Sequence, residues 1–347
     1  MTLSAQDTRF TYLTDWLSNL DTELGIDTKS LKAASSDASF RRYFRVSANN
    51  RTLVVMDAPP PNEDCRPFVD VTQRLADAGL NVPRVIRENL NQGFLLLTDL
   101  GPTTYYDRIK DGIDETNLQQ MYREALGALV QLQQARKDGL ALYDAPRLKT
   151  ELHLFNEWYL SVHYKMTLEA TQAQALDQVF DLLVQHNSAQ PRVLVHRDFH
   201  SPNLMYCGET QYGPNPGILD YQDAVAGPIT YDLASLVMDA RTTWEEPQQL
   251  DWAIRYWEQA RKAGLPVPTD FADFHRDYEW MGLQRNLRIL GVFARLHYRD
   301  NKAHYLAHIP RVNQYVRQVA GRYLAFRPLI KLLDQLENIQ TSVGYTF

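Results

Sequence analysis

Apolar residues recur at helical spacing near the start of the chain, at Phe10, Leu13, Leu17, Leu20 and Leu24. This predicts an amphipathic helix that buries one face and ends at Gly25. The period then changes. Phe40 to Val46 and Thr52 to Met56 read as strands joined by the polar turn Ser47 to Arg51. Pro59, Pro60 and Pro61 interrupt regular structure before a helix around Phe68 to Ala78. Pro83 to Ile86 and Phe94 to Thr98 complete a small sheet. Beyond Asp99-Leu100-Gly101-Pro102 helical periodicity takes over, from Asn117 to Arg136, Lys149 to Met166 and Thr171 to His186. After a stretch of short apolar runs it resumes from Tyr231 to Ala240, Pro247 to Lys262, Phe271 to Arg299 and Pro310 to Leu336. No internal repeat or low-complexity segment is present.

Composition narrows this picture without changing it. At 347 residues the chain exceeds the usual size of one simple core, so two lobes are expected, 1–99 rich in strand and 100–347 helical. The net charge of -6, with no basic run, argues against nucleic acid as a partner. Cys65 and Cys207 are too few for a disulfide framework and read as reduced thiols. The first ten residues lack a basic region followed by an apolar core, and no run is long enough to span a bilayer. A cytoplasmic protein with no membrane partner, monomeric, is the expectation.

The chemistry concentrates where the short apolar runs lie. Val193-Leu194-Val195 leads into His196-Arg197-Asp198, then Asn203, and Asp220 closes a second run at Ile218-Leu219. This is the H-R-D-x-x-x-x-N pattern with a following Asp used for phosphoryl transfer from ATP. Asp198 suits a base that receives the proton of an attacking hydroxyl. Asn203 and Asp220 offer the hard oxygens that Mg²⁺ takes when it also binds substrate phosphates. A sheet-rich lobe, a Gly-Pro hinge and a helical lobe carrying this loop together predict an α+β, bilobal protein-kinase-like fold. ATP is then the donor, and backbone groups of Thr98, Asp99 and Leu100 in the hinge would meet its adenine edge.

With these motifs in place, the chain resembles the aminoglycoside phosphotransferase and choline kinase-like family of small-molecule kinases over nearly its whole length. Ser36 to Val46, Val55 to Pro60 and Gly93 to Gly101 are similar, more narrowly, to a bacterial subgroup that phosphorylates amino sugars recycled from the cell wall. The resemblance implies ATP, Mg²⁺ and transfer to the C1 hydroxyl of N-acetylmuramate or N-acetylglucosamine. It matches Asp198 to the catalytic Asp, Asn203 and Asp220 to the metal ligands, and Asp232 to an Asp that steadies the catalytic loop by hydrogen bonding. Two other readings stay open: a kinase of an aminoglycoside, choline or another amino alcohol, and an inactive nucleotide-binding regulator.

Three departures matter. The strand Leu53 to Asp57 has Met56 near the place where kinases carry a phosphate-binding Lys. The turn Ser35 to Ser39 has no glycine, although Ser36 and its neighbours could contact phosphate oxygens. The loop has Arg197 where many small-molecule kinases carry Gly. The missing lysine makes Arg42 and Arg45 candidate phosphate ligands, on opposite faces of one strand, or else solvated charges. Arg197 either pairs with a carboxylate or faces an anionic group of the acceptor, and His200 either approaches the acceptor or caps a turn. Asp223, Glu157 and Trp158, and with them Trp280 and Arg285 on the helical lobe, are further candidates for contacting a sugar. Between Asp220 and Asp232 there is no room for a long activation segment.

Overall fold

The first amphipathic pattern forms helix α1 (Thr8–Ser18), with Leu13 and Leu17 buried. It stops short of Gly25. Leu20 and Leu24 still pack on the same core, which is why the apolar period outruns the helix. Strand β1 (Ile26–Ser35) follows, an element the sequence pattern did not predict. Its residues, Asp27, Lys29, Ser30 and Lys32 among them, are weak strand formers, but β1 is an edge strand, where charged residues protect against further pairing. Next come β2 (Arg42–Ala48), β3 (Arg51–Asp57), helix α2 (Arg66–Asp77), β4 (Val85–Asn89) and β5 (Phe94–Thr98). They make one antiparallel sheet of order β1-β2-β3-β5-β4.

Register decides which residues share a face. Phe44 pairs with Val55 and Val46 with Leu53, and these four join Phe94, Leu96, Leu13 and Leu17 in one core under α1. Arg42, opposite Asp57, lies on that same face; Tyr43, opposite Met56, and Arg45, opposite Val54, lie on the other. The structure, a computed structural model, describes residues 8–20, 24–35, 40–60, 62–208 and 212–338. It divides into two units, Met1–Arg108 with Asn203–Asp223, and Ile109–Pro202 with Ala224–Phe347.

The second unit is helical. Helix α3 (Tyr105–Lys110) leads into it, followed by α4 (Glu115–Gln134), α5 (Ala145–Leu154) and α6 (Ala170–Ala189). A single helix from Lys149 to Met166 was expected; α5 instead passes into a π-helical stretch, Phe155–His163. Strand β6 (Arg192–Val195) pairs with β9 (Val225–Pro228), and between them in sequence β7 (Leu204–Met205) pairs with β8 (Gly217–Ile218) in the first unit. Helices α7 (Tyr231–Val237), α8 (Glu246–Lys262) and the 28-residue α9 (Phe271–Tyr298) complete the core. The expected helix from Pro310 to Leu336 is two, α10 (Ile309–Ala320) and α11 (Arg327–Leu336), because Gly321 ends the first and Pro328 opens the second.

Helix α9 packs against α5, α7 and α10. Its approach to α5 depends on Gly291, where any Cβ would collide with the Leu154 carbonyl. Both cysteines are free and buried. No described helix is long and apolar enough to cross a membrane.

Candidate active site

In the second unit, β6 ends at Val195 and the chain turns into His196-Arg197-Asp198. The turn is held from below by Asp232, in the first turn of α7. Its Oδ2 accepts the His196 N–H at 2.6 Å and its Oδ1 the Arg197 N–H at 2.9 Å. Burial raises the Asp232 carboxyl to about 6. A second buried carboxylate, Asp239, accepts the N–H of Ser201 at 3.0 Å and its hydroxyl as well. The loop backbone is thus fixed on both sides of Asp198.

Arg197 has a left-handed backbone, φ 78°. Its Nη2 donates to Glu151 Oε1 at 2.8 Å, and its guanidinium stacks over Tyr143. Glu151, on α5, also meets Arg288 Nε of α9 at 2.9 Å and accepts the Tyr143 hydroxyl. The carboxylate pairing left open for Arg197 is therefore present. The Asp198 side chain is 39% exposed. Burial pushes its carboxyl up, but the charges of His200, Arg288, Arg285 and His196 outweigh this and hold it below the ordinary carboxylate range. Burial also pushes the His200 pKa down, so at neutral pH the two guanidinium groups carry most of that field.

In the first unit the short ladder β7–β8 brings Asn203 and Asp220 to one end. Asn203 precedes β7 and its carbonyl accepts the Leu219 N–H at 2.9 Å, one residue before Asp220. Asn203 Nδ2 lies 3.3 Å from Asp220 Oδ2, and Gln222 Nε2 donates to Asp220 Oδ1 at 2.9 Å. Asp220 is exposed and left-handed, φ 64°. Tyr221 anchors it: the ring stacks on Phe68 of α2 at 5.1 Å and its hydroxyl bonds Thr72 at 2.8 Å.

The other expected residues are scattered. Arg42, on the α1 face, donates from Nε to Asp57 at 2.9 Å, where Arg9 also binds. Arg45, on the Met56 face, binds Asp99 at 2.9 Å and the Gly101 carbonyl. Asp99 further accepts from Thr52 at 2.8 Å and from the Gly101 N–H, so its side chain closes the hinge turn. Thr98 accepts the Arg84 N–H, and Leu100 is buried. Asp223 is exposed, within electrostatic reach of Arg41. Glu157 and Trp158 fall in the π-helical stretch, and no hydrogen bond joins either to the loop among the described residues. Ser36 lies outside the described residues.

Comparison with known proteins agrees with this geometry. Residues 30–277 match the phosphotransferase enzyme family. The chain belongs to that family. A Pseudomonas aeruginosa N-acetylmuramate/N-acetylglucosamine kinase is 44% identical to this phosphotransferase over 340 residues, 96% of this chain and 98% of that protein. A Neisseria meningitidis protein of the same name is also 44% identical, with the same coverage. Among solved structures, a Mesorhizobium loti choline/ethanolamine kinase family protein superposes with a TM-score of 0.60 at 15% identity, covering 94% of this chain and 99% of that one. Spectinomycin phosphotransferase bound to ADP and spectinomycin gives 0.58 at 12%, covering 92% and 98%. These two likenesses bear on the fold, which is the α+β kinase-like one expected.

The phosphotransferase has four residues around its loop that carried no sequence signal of this role. Glu151, Asp239 and Arg288 sit far from the motif along the chain, and Glu151 and Arg288 meet each other from different helices. Arg285 is expected from sequence only as one of several possible sugar contacts on the helical lobe. None stands at a position that the local pattern marks, and only tertiary packing turns each toward the loop.

Proposed function

We propose that this phosphotransferase transfers the γ-phosphoryl group of ATP to the anomeric C1 hydroxyl of N-acetylmuramate and N-acetylglucosamine. The observation that carries the reading is the near full-length identity of 44% to kinases bearing those two sugars in their names. Such a reaction returns sugars released from the cell wall to metabolism, and its use of ATP makes the enzyme cytoplasmic.

Each part of the motif then has a task. Asp198 orients the acceptor hydroxyl and takes its proton as the bond to phosphorus forms. An anomeric hydroxyl is more acidic than an ordinary alcohol, so a carboxylate held below its usual pKa is basic enough. Asp232 and Asp239 keep the loop backbone in place, which matters because phosphoryl transfer relies on positioning and electrostatics. Asn203 and Asp220 fit Mg²⁺ by their chemistry: the Asn203 side-chain carbonyl and the exposed Asp220 carboxylate are hard oxygen donors on two side chains linked by a hydrogen bond from Asn203 Nδ2 to Asp220 Oδ2. When bound there, the ion supplies charge neutralisation at the ATP phosphates. Backbone groups of Thr98 to Leu100 receive the adenine, while Arg45, on the sheet face that has Met56 in place of a lysine, is held by Asp99 and the Gly101 carbonyl and braces that turn.

Acceptor-dependent ATP consumption with each sugar, with products read by ³¹P NMR, tests the reading. Anomeric phosphates of both sugars are expected. Consumption with neither sugar sinks it. Asp198→Asn should lose turnover by roughly a thousand-fold or more while nucleotide binding persists; near-normal turnover would remove Asp198 as the base.

A further inference from the structure

Arg285 and Arg288 stand one turn apart on α9, and both side chains run inward. They end differently. Arg288 Nε makes no aligned hydrogen bond but lies 2.9 Å from Glu151 Oε2, within an ion pair. Arg285 is 3% exposed, yet its Nε and Nη1 have no hydrogen-bond partner, and it makes no ion pair among the described residues. A guanidinium does not neutralise itself by losing a proton, and an unpaired buried charge is costly. Such a group persists when something bound supplies its anion. Nearby, His200 Nδ1 is also buried without a partner. Both residues act electrostatically on Asp198, whose side chain is 39% exposed.

We infer that Arg285 is the receptor for the lactyl carboxylate of N-acetylmuramate, the one charged group that distinguishes this sugar from N-acetylglucosamine. The inference rests on the proposed function. The lactyl ether sits on C3, two ring carbons from C1, so its carboxylate and the reacting hydroxyl lie within one sugar's width. A guanidinium within electrostatic reach of the base is therefore placed to meet the first while Asp198 holds the second, and its planar donors suit a carboxylate. Arg197 and Arg288, the other arginines near the base, are already paired with Glu151.

Four measurements test this. Arg285→Gln should lose roughly thirty-fold or more in kcat/KM on N-acetylmuramate, mainly through KM, and about ten-fold less than that on N-acetylglucosamine. Arg285→Lys should recover part of the loss. Wild-type enzyme should discriminate against the methyl ester of N-acetylmuramate to the same extent, and Arg285→Gln should treat acid and ester alike. Equal losses on both sugars would mean that Arg285 acts through Asp198, and would overturn the inference. Wild-type enzyme inactive on both sugars would instead sink the function beneath it. Arg285→Met gives a readout independent of activity: with no protein anion to strand, it should melt no lower than wild type. A fall of about 10 °C would reveal a partner within the protein and would equally overturn the proposal.

Discussion

Replacing Glu151 by Gln isolates what holds the loop ahead of Asp198. The substitution keeps the shape and one acceptor oxygen but removes the charge between Arg197 and Arg288. The side chains involved are 14%, 12% and 20% exposed respectively, so both ion pairs are largely out of water. Breaking a buried pair from one side costs about 3–5 kcal/mol, because the other charge stays behind. Residual solvent access brings the expected loss to about 2–4 kcal/mol. For a unit of this size each kcal/mol lowers Tm by about 2–4 °C, so a fall of about 5–15 °C is expected. Turnover should fall with it, since the left-handed backbone of Arg197 holds only while its surroundings fix it. A second substitution sharpens the test. Arg197→Gly takes away one stranded charge and places at φ 78° the residue that adopts it most readily. Added to Glu151→Gln, it should raise Tm, not lower it further. Thermal melts and steady-state kinetics on the two single variants and the double decide the matter. A Glu151→Gln enzyme within about 0.5 kcal/mol of wild type, or losses that simply add, would refute the reasoning.

Two further outcomes follow from the same packing. Asp232 has its pKa raised from 3.8 to about 6 by burial, so the folded state binds its proton more tightly than the unfolded chain. The stability of wild type relative to Asp232→Asn should therefore be greatest below pH about 4 and decline by about 3 kcal/mol as pH rises through about 6, staying level above; urea unfolding across that range reads it, and a constant difference would exclude the shift. Gly291→Ala forces a Cβ into the Leu154 backbone, which cannot swing aside as a side chain can. A loss of about 3 kcal/mol is expected, with reduced turnover because α5 carries Glu151, and an unchanged Tm would mean that α5 and α9 have room to separate.

The sequence was most readable where function is local. His196 to Asn203 and Asp220 are recognisable because the chemistry requires those groups at the ends of short apolar strands, and those strands read as continuous buried runs. Helices α4, α6, α8 and α9 were equally legible, since each is long enough for its buried stripe to repeat several times. Strand β1 was not, because its stability comes from its ladder with β2 rather than from its own residues. The break between α10 and α11 is legible only when Gly321 and Pro328 are weighed together, whereas the apolar period alone carries straight through both.

Arg197 and Asp220 show a different limit. Each is a non-glycine residue with positive φ, and each adjoins or belongs to the chemical motif. For Asp220 the conformation is inexpensive, since Asp enters the left-handed region more readily than most residues. For Arg197 it is a strain of about 1–3 kcal/mol that surrounding contacts must offset. The Glu151 pairing, the Asp232 hydrogen bond and the stacking on Tyr143 are those contacts. This accounts for the departure from Gly at that position: where glycine tolerates the turn through freedom, this chain holds it by anchoring a longer side chain. The same anchoring takes Arg197 out of consideration as an anion receptor and leaves Arg285, buried and unpaired, as the arginine beside Asp198 that still lacks a partner.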